Sequence, residues 1–231
     1  MKLTRQLKQQ ITRDWNLQLP GLGIYGPMQL LRMCGPLLIG VCLDRDSGND
    51  GCRPTFHVHS LSKEHHGISL TMCHRLLTLR TGAEDRISVM GHAQRHVEAA
   101  QRMNEQALLP LSARVSLQMV IEAYQAYLQR PGRQWAVHML EDVITLLVAC
   151  GKTDHATHFL ERTVAEMKSW PERVLAQMEP INNWAGKMKR LIDNPDLVHQ
   201  TVSEQAARLK VEKLPTTSLD EGASPTRLRI P

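Results

Sequence analysis

Between Leu3 and Trp15 an apolar side chain returns at every fourth position (Leu3, Leu7, Ile11 and Trp15), while Lys2, Arg5, Lys8 and Arg13 fall elsewhere on the helical wheel. The spacing predicts an amphipathic helix with a basic face. Gly21, Gly23 and Gly26, lying between Pro20 and Pro27, then turn the chain. The apolar stretch from Met28 to Met33 reads as a further helical turn or two, ended by Gly35 and Pro36. Leu37 to Leu43 and Pro54 to Leu61 are strand-length runs rich in Ile, Val, Phe and Thr, separated by a loop with the turn formers Asn49, Asp50 and Gly51. They predict a hairpin, and Ile68 to Met72 adds a third strand. Such a small antiparallel meander needs a helix over one face.

After Gly82 the spacing becomes helical almost throughout. It predicts helices over Glu84–Ala107, Ala113–Gln129, Gln134–Ala149, His155–Trp170, Glu172–Met178, Ile181–Ile192 and Asp196–Lys210. Gly151 suits a left-handed helix end, Ser169 with Glu172 has capping-box spacing, and Asn194–Pro195 reads as an N-cap followed by proline at N1. From Lys213 onward Pro, Thr, Ser and Gly replace the apolar residues, which predicts a disordered tail. The expected fold is therefore α+β and mainly α-helical. Residues 1–83 form the basic helix and small antiparallel sheet, 84–212 a multi-helix bundle, and 213–231 the tail.

Composition narrows the classes. With 231 residues, 42% hydrophobic and 22% charged, the chain can bury a core without disulfides. Its longest apolar runs, Leu37 to Leu43 and Val143 to Cys150, are far shorter than the roughly 18 residues of a membrane span. No apolar signal segment follows the N-terminus, and the five cysteines lack CxxC spacing, so a cytoplasmic protein with reduced thiols is expected. The net charge of +5 is unevenly placed. Residues 1–83 carry 10 basic and 5 acidic side chains, and the remainder carries 18 of each. An acidic partner is thus expected to meet the first third, through Lys2, Arg5, Lys8 and Arg13. Nucleic acid is the alternative partner on charge alone, but aromatics make up only 4% and none clusters with the basic residues.

Several residue groups could carry chemistry. His57 and His59 alternate onto one face of an expected strand, near Cys52 and Cys73, which raises a zinc site made from these four residues. His92 with His96, and His155 with His158, share helix faces, yet neither pair has the glutamate of HExxH, so no catalytic role is assigned to them. The Asp46, Gly48, Asp50, Gly51 loop resembles a calcium loop but reaches His57 where the bidentate glutamate should stand. Gly151–Lys152–Thr153 ends like a phosphate loop but follows a helix and has Leu146 at the first glycine position.

Arg133 to His138, RQWAVH, resembles the Rx4-6H motif of the all-helical HEPN ribonuclease families. The resemblance covers six residues and implies a metal-free ribonuclease, with His138 as acid or base and Arg133 holding phosphate charge. The residues alone favour a different reading, a non-catalytic cytoplasmic adaptor without cofactor. It would contact an acidic protein partner in the manner of an antitoxin, immunity protein or assembly factor. The ribonuclease and the zinc protein are the alternatives.

Overall fold

A computed structural model describes residues 2–130, 133 and 135–220. These group into two compact units, one made of residues 2–59, 69–115 and 210–220, the other of residues 60–68 and 116–209. This grouping crosses the boundary expected at residue 83. The fold is α+β, with the sheet near the N-terminus and most helices following it.

The first unit opens with α1 (Arg5–Gln18), capped where Thr4 accepts from the backbone N–H of Leu7 at 3.3 Å. Its apolar stripe folds back onto its own unit, with Leu3, Ile11 and Trp15 all buried, so the helix's basic side chains are left facing outward. The strands β1 (Gly23–Gly26), β2 (Gln29–Cys34), β3 (Leu37–Arg45), β4 (Gly51–Ser60) and β5 (Met72–Arg75) follow in that spatial order. The short β6 (Ile87–Ser88) pairs with β4 and precedes α2 (His92–Gln106).

Met28 to Met33 is not helical. Residues 29–34 form β2, paired with β3 from Gln29↔Cys42 to Cys34↔Leu37. Six apolar-rich residues carry too little periodicity to separate strand from helix. What decides the matter is the two-residue turn at Gly35–Pro36, with Gly35 at φ +55°, which returns the chain directly into β3. Leu37, Leu38, Ile39 and Val41 are all fully buried, so β3 is covered on both faces. Gly40 sits opposite Leu31, and a Cβ there would lie 2.0 Å from the Leu30 carbonyl oxygen. Gly40→Ala is expected to lower stability by about 1–3 kcal/mol, measured by urea unfolding.

Three other boundaries differ from expectation. The strand foreseen at Ile68 to Met72 lies at Met72–Arg75 instead, opposite Thr55 to Val58. The helix foreseen from Glu84 begins only at His92, because residues 84–88 are drawn into sheet pairing and Asp85 binds Arg95 at 2.8 Å and Arg102 at 2.6 Å. The expected disordered tail is ordered as far as residue 220: Leu214 is buried and β7 (Thr216–Thr217) runs parallel to β2. Residues 221–231 of that tail lie outside the described residues.

The second unit holds α3 (Leu117–Leu128), α4 (Val137–Ala149), α5 (Thr153–Met167), α6 (Glu172–Leu175), α7 (Ile181–Asp193) and α8 (Pro195–Leu209). α4 is its centre and touches α3, α5, α7 and α8, which accounts for the burial of Met139, Ile144, Leu146, Leu147 and Val148. Gly151 takes the left-handed conformation at φ +69° just after α4, and Pro195 begins α8. Ser169 does not cap α6; its hydroxyl donates back to the Glu166 carbonyl at 2.7 Å. No helix among the described residues is long and apolar enough to cross a membrane.

Candidate functional site

The first unit contains an open cleft of about 1040 Å³. Its floor is one face of the sheet. Thr55 donates to Asp44 at 2.9 Å, so the two side chains share a face, and Cys42 and Arg53 join that face by strand alternation. Register adds Gln29 opposite Cys42, and Arg75 opposite Thr55. The walls come from α1, the turn at Pro27–Met28 and the β3–β4 loop.

Each wall is pinned. The Leu3 backbone N–H donates to the Asn49 carbonyl at 2.8 Å, which sets the start of α1 beside the loop. Thr12 donates to the Lys8 carbonyl at 2.6 Å and accepts from the Met28 N–H at 2.7 Å, tying the turn to the helix. Arg86 clamps the loop by donating to Asp46 at 2.5 Å and to Asp50.

Five cations, Arg5, Lys8, Arg45, Arg53 and Arg75, line this cleft against two carboxylates, Asp44 and Asp46. Both acids are already engaged. Partial burial pushes the Asp46 carboxyl up, but the Arg86 guanidinium and the N–H groups of Asp50 and Gly51 outweigh it and hold Asp46 below the usual carboxylate range. Asp44 accepts from Thr55 and, at 3.0 Å, from the Cys42 thiol. Burial, reinforced by Asp44, pushes that thiol up to about 12, so Cys42 is protonated at neutral pH and is no nucleophile. Arg53 and Arg75 share Glu84, at 3.9 Å and 2.5 Å. Among the described residues Arg5, Lys8 and Arg45 form no ion pair. What results is a preorganised concave surface with unneutralised positive charge, suited to holding anions.

No family model, no curated protein and no solved structure matches this chain.

The structure divides the four basic residues read from the helix. Arg5 and Lys8 line the cleft; Arg13 lines a separate groove with Gln9, Thr12, Ile24 and Pro27; Lys2 is exposed and lines neither. Arg45, Arg53 and Arg75 were missed because each stands alone in sequence. The available signal was strand alternation, which places Arg53 on one face with Thr55 and His57.

The four residues raised for zinc do not all converge. His57 lies opposite Cys73 on one face of the sheet, while Cys52 falls on the other face of β4. His59 Nδ1 accepts from the Ser69 N–H at 3.0 Å and lies 2.7 Å from its hydroxyl. Among the described residues no three His, Cys, Asp or Glu side chains are grouped to hold a metal ion. His57 is fully buried, neither ring nitrogen is hydrogen-bonded among the described residues, and burial pushes it down to about 4.

Arg133 and His138, by contrast, line one cleft of about 370 Å³ in the second unit, with Trp135, Val174, Gln177 and Met178. His138 stands in the first turn of α4 and Arg133 outside that helix. The arginine lies in the turn before α4, with its guanidinium 5.6 Å from the Tyr127 ring centre. Burial, and then the nearby Lys63, push the His138 imidazole below its ordinary range.

Proposed function

We propose that this protein is a non-catalytic binding module or adaptor that takes an acidic segment of a protein partner into the cleft of its first unit. The observation that carries this reading is the convergence of Arg5 and Lys8, from the basic helix, with Arg45, Arg53 and Arg75, from the sheet, around one preorganised cleft. Guanidinium groups suit carboxylates because they offer paired N–H donors in a fixed fork. The protonated Cys42 and the engaged Asp44 leave the cleft without an activated nucleophile or a free base, which favours binding over chemistry. A cytoplasmic location, and a role as antitoxin, immunity protein or assembly factor, belong to the same proposal.

The test compares the tagged full chain with its Arg5→Glu/Lys8→Glu variant, both isolated from native cells at physiological salt. An acidic protein held stoichiometrically by the first and lost from the second is the expected result, since reversing charges at a complementary surface turns attraction into repulsion. Equal retention by both chains, nucleic acid alone, or nothing bound would overturn the reading.

The second reading is a ribonuclease, and the shared cleft of Arg133 and His138 is what favours it. It requires RNA cleavage that His138→Ala reduces by about 100-fold or more, the usual scale of a lost general acid or base.

A further inference from the structure

The two cleft arginines that do have a partner point to how the proposed site is regulated and what it recognises. Arg53 stands on β4 and Arg75 on β5, and both turn toward one oxygen of Glu84. Glu84 itself is not part of the cleft lining. Its position is set by a tight hairpin. The Leu77↔Glu84 bridge, the bonds from Thr78 N–H to Ala83 O at 2.9 Å and from Asp85 N–H to Leu76 O at 2.7 Å, and Gly82 at φ +67° together hold residues 76–85 in place. Glu84 therefore does not arrive at Arg75 by side-chain flexibility alone.

We infer that Arg53 and Arg75 form the anchor subsite for a carboxylate side chain of the partner's acidic segment, and that Glu84 is an internal competitor that offsets part of this subsite's charge until the partner binds. This inference rests on the cleft reading and adds to it the ligand group and the device that tempers its affinity. Two arginines sharing one acid keep an excess positive charge and several N–H donors beyond those that Glu84 engages. The competitor is easily displaced. All three side chains are well exposed, at 37% for Arg53, 46% for Arg75 and 48% for Glu84, and exposed ion pairs contribute little to stability. A carboxylate is the group the two arginines favour, because both already turn toward the one that Glu84 offers. The unpaired Arg5, Lys8 and Arg45 then extend the site to further acidic side chains of the same segment.

The test uses the full chain and a fluorescein-labelled oligoglutamate peptide, followed by anisotropy at low salt, with labelled oligouridylate as a parallel probe. Glu84→Gln keeps the shape and removes the competing charge, and should tighten peptide binding about three- to fivefold, the range that loss of an exposed ion pair allows. Arg75→Gln should weaken binding, and in that background, where only the longer Arg53–Glu84 contact is left to release, Glu84→Gln should tighten it less than in the wild type, a coupling that general destabilisation would not produce. Thermal unfolding of each variant confirms that the compared chains are folded. Unchanged or weaker peptide binding by Glu84→Gln, with the wild type still binding, overturns the inference and leaves the cleft reading standing. Tightening of oligouridylate alone overturns it in favour of nucleic acid. No peptide binding by any variant overturns both.

Discussion

Acid destabilises the wild-type chain more than it destabilises His57→Leu, and the gap between them reaches about 2 kcal/mol at pH 5 and about 3 kcal/mol at pH 4. The cause is a fully buried imidazole with no hydrogen-bond partner on either nitrogen among the described residues. Burial penalises the charged ring, and Asp44 offsets only part of that penalty, so the folded-state pKa falls to about 4 from the ordinary 6.5. Between these two values the unfolded chain binds a proton that the folded chain refuses. The contribution of His57 is therefore fully present above pH 6.5 and is lost as the pH falls to about 4. At pH 7 the Leu variant should lie within about 1 kcal/mol of wild type or above it, because no hydrogen bond is removed. Urea midpoints for both chains across this range measure the effect. Parallel pH profiles would show that His57 does not remain neutral in the fold.

The second large effect belongs to the centre of the helical unit. Asp142 on α4 is 1% exposed, and Lys63 Nζ lies 2.6 Å from it while also donating to the His138 carbonyl at 2.7 Å. Tyr124 donates its hydroxyl to the same carboxylate at 3.2 Å. Burial pushes the Asp142 carboxyl up, and Lys63 pulls it partly back. Lys63→Met removes the compensating charge and should cost about 3–5 kcal/mol at pH 8, the penalty for a stranded buried ion. The sign with pH is opposite to that for His57. Without Lys63 the carboxyl rises further, so protonation on lowering the pH toward 5 should recover part of the loss. The double variant Lys63→Met/Asp142→Leu should regain most of the stability at every pH, since no charge is left buried. Denaturant unfolding of the three chains at pH 5 and pH 8 tests this. A double variant as unstable as the single one would mean that the pair contributes shape and hydrogen bonding rather than charge balance.

Both effects depend on burial, which one chain's composition does not report. His57 and His59 stand on a strand in a pattern that suggested a shared ligand face, and alternation does place them on one side of β4. Pairing then gives them different fates. His59 finds Ser69, whereas His57 is enclosed with no hydrogen-bond partner among the described residues. Lys63 reads in sequence as an ordinary loop lysine, and only the packing of residues 60–68 within the helical unit sets it against Asp142.

Local spacing by itself determined the α+β class, the amphipathic α1, the β3–β4 hairpin, the helices of the second unit, the stop at Gly151 and the start at Pro195, but not that the apolar stripe of α1 turns inward. Those features depend on residues within a turn or two of each other, where side-chain period and backbone preference act directly. Tertiary structure alone decided that residues 29–34 form a strand, that Thr216–Thr217 joins the sheet, and that Arg5, Lys8, Arg45, Arg53 and Arg75 meet. Strand pairing satisfies backbone groups across large sequence separations, and which side chains it gathers depends on register. No local pattern encodes that register.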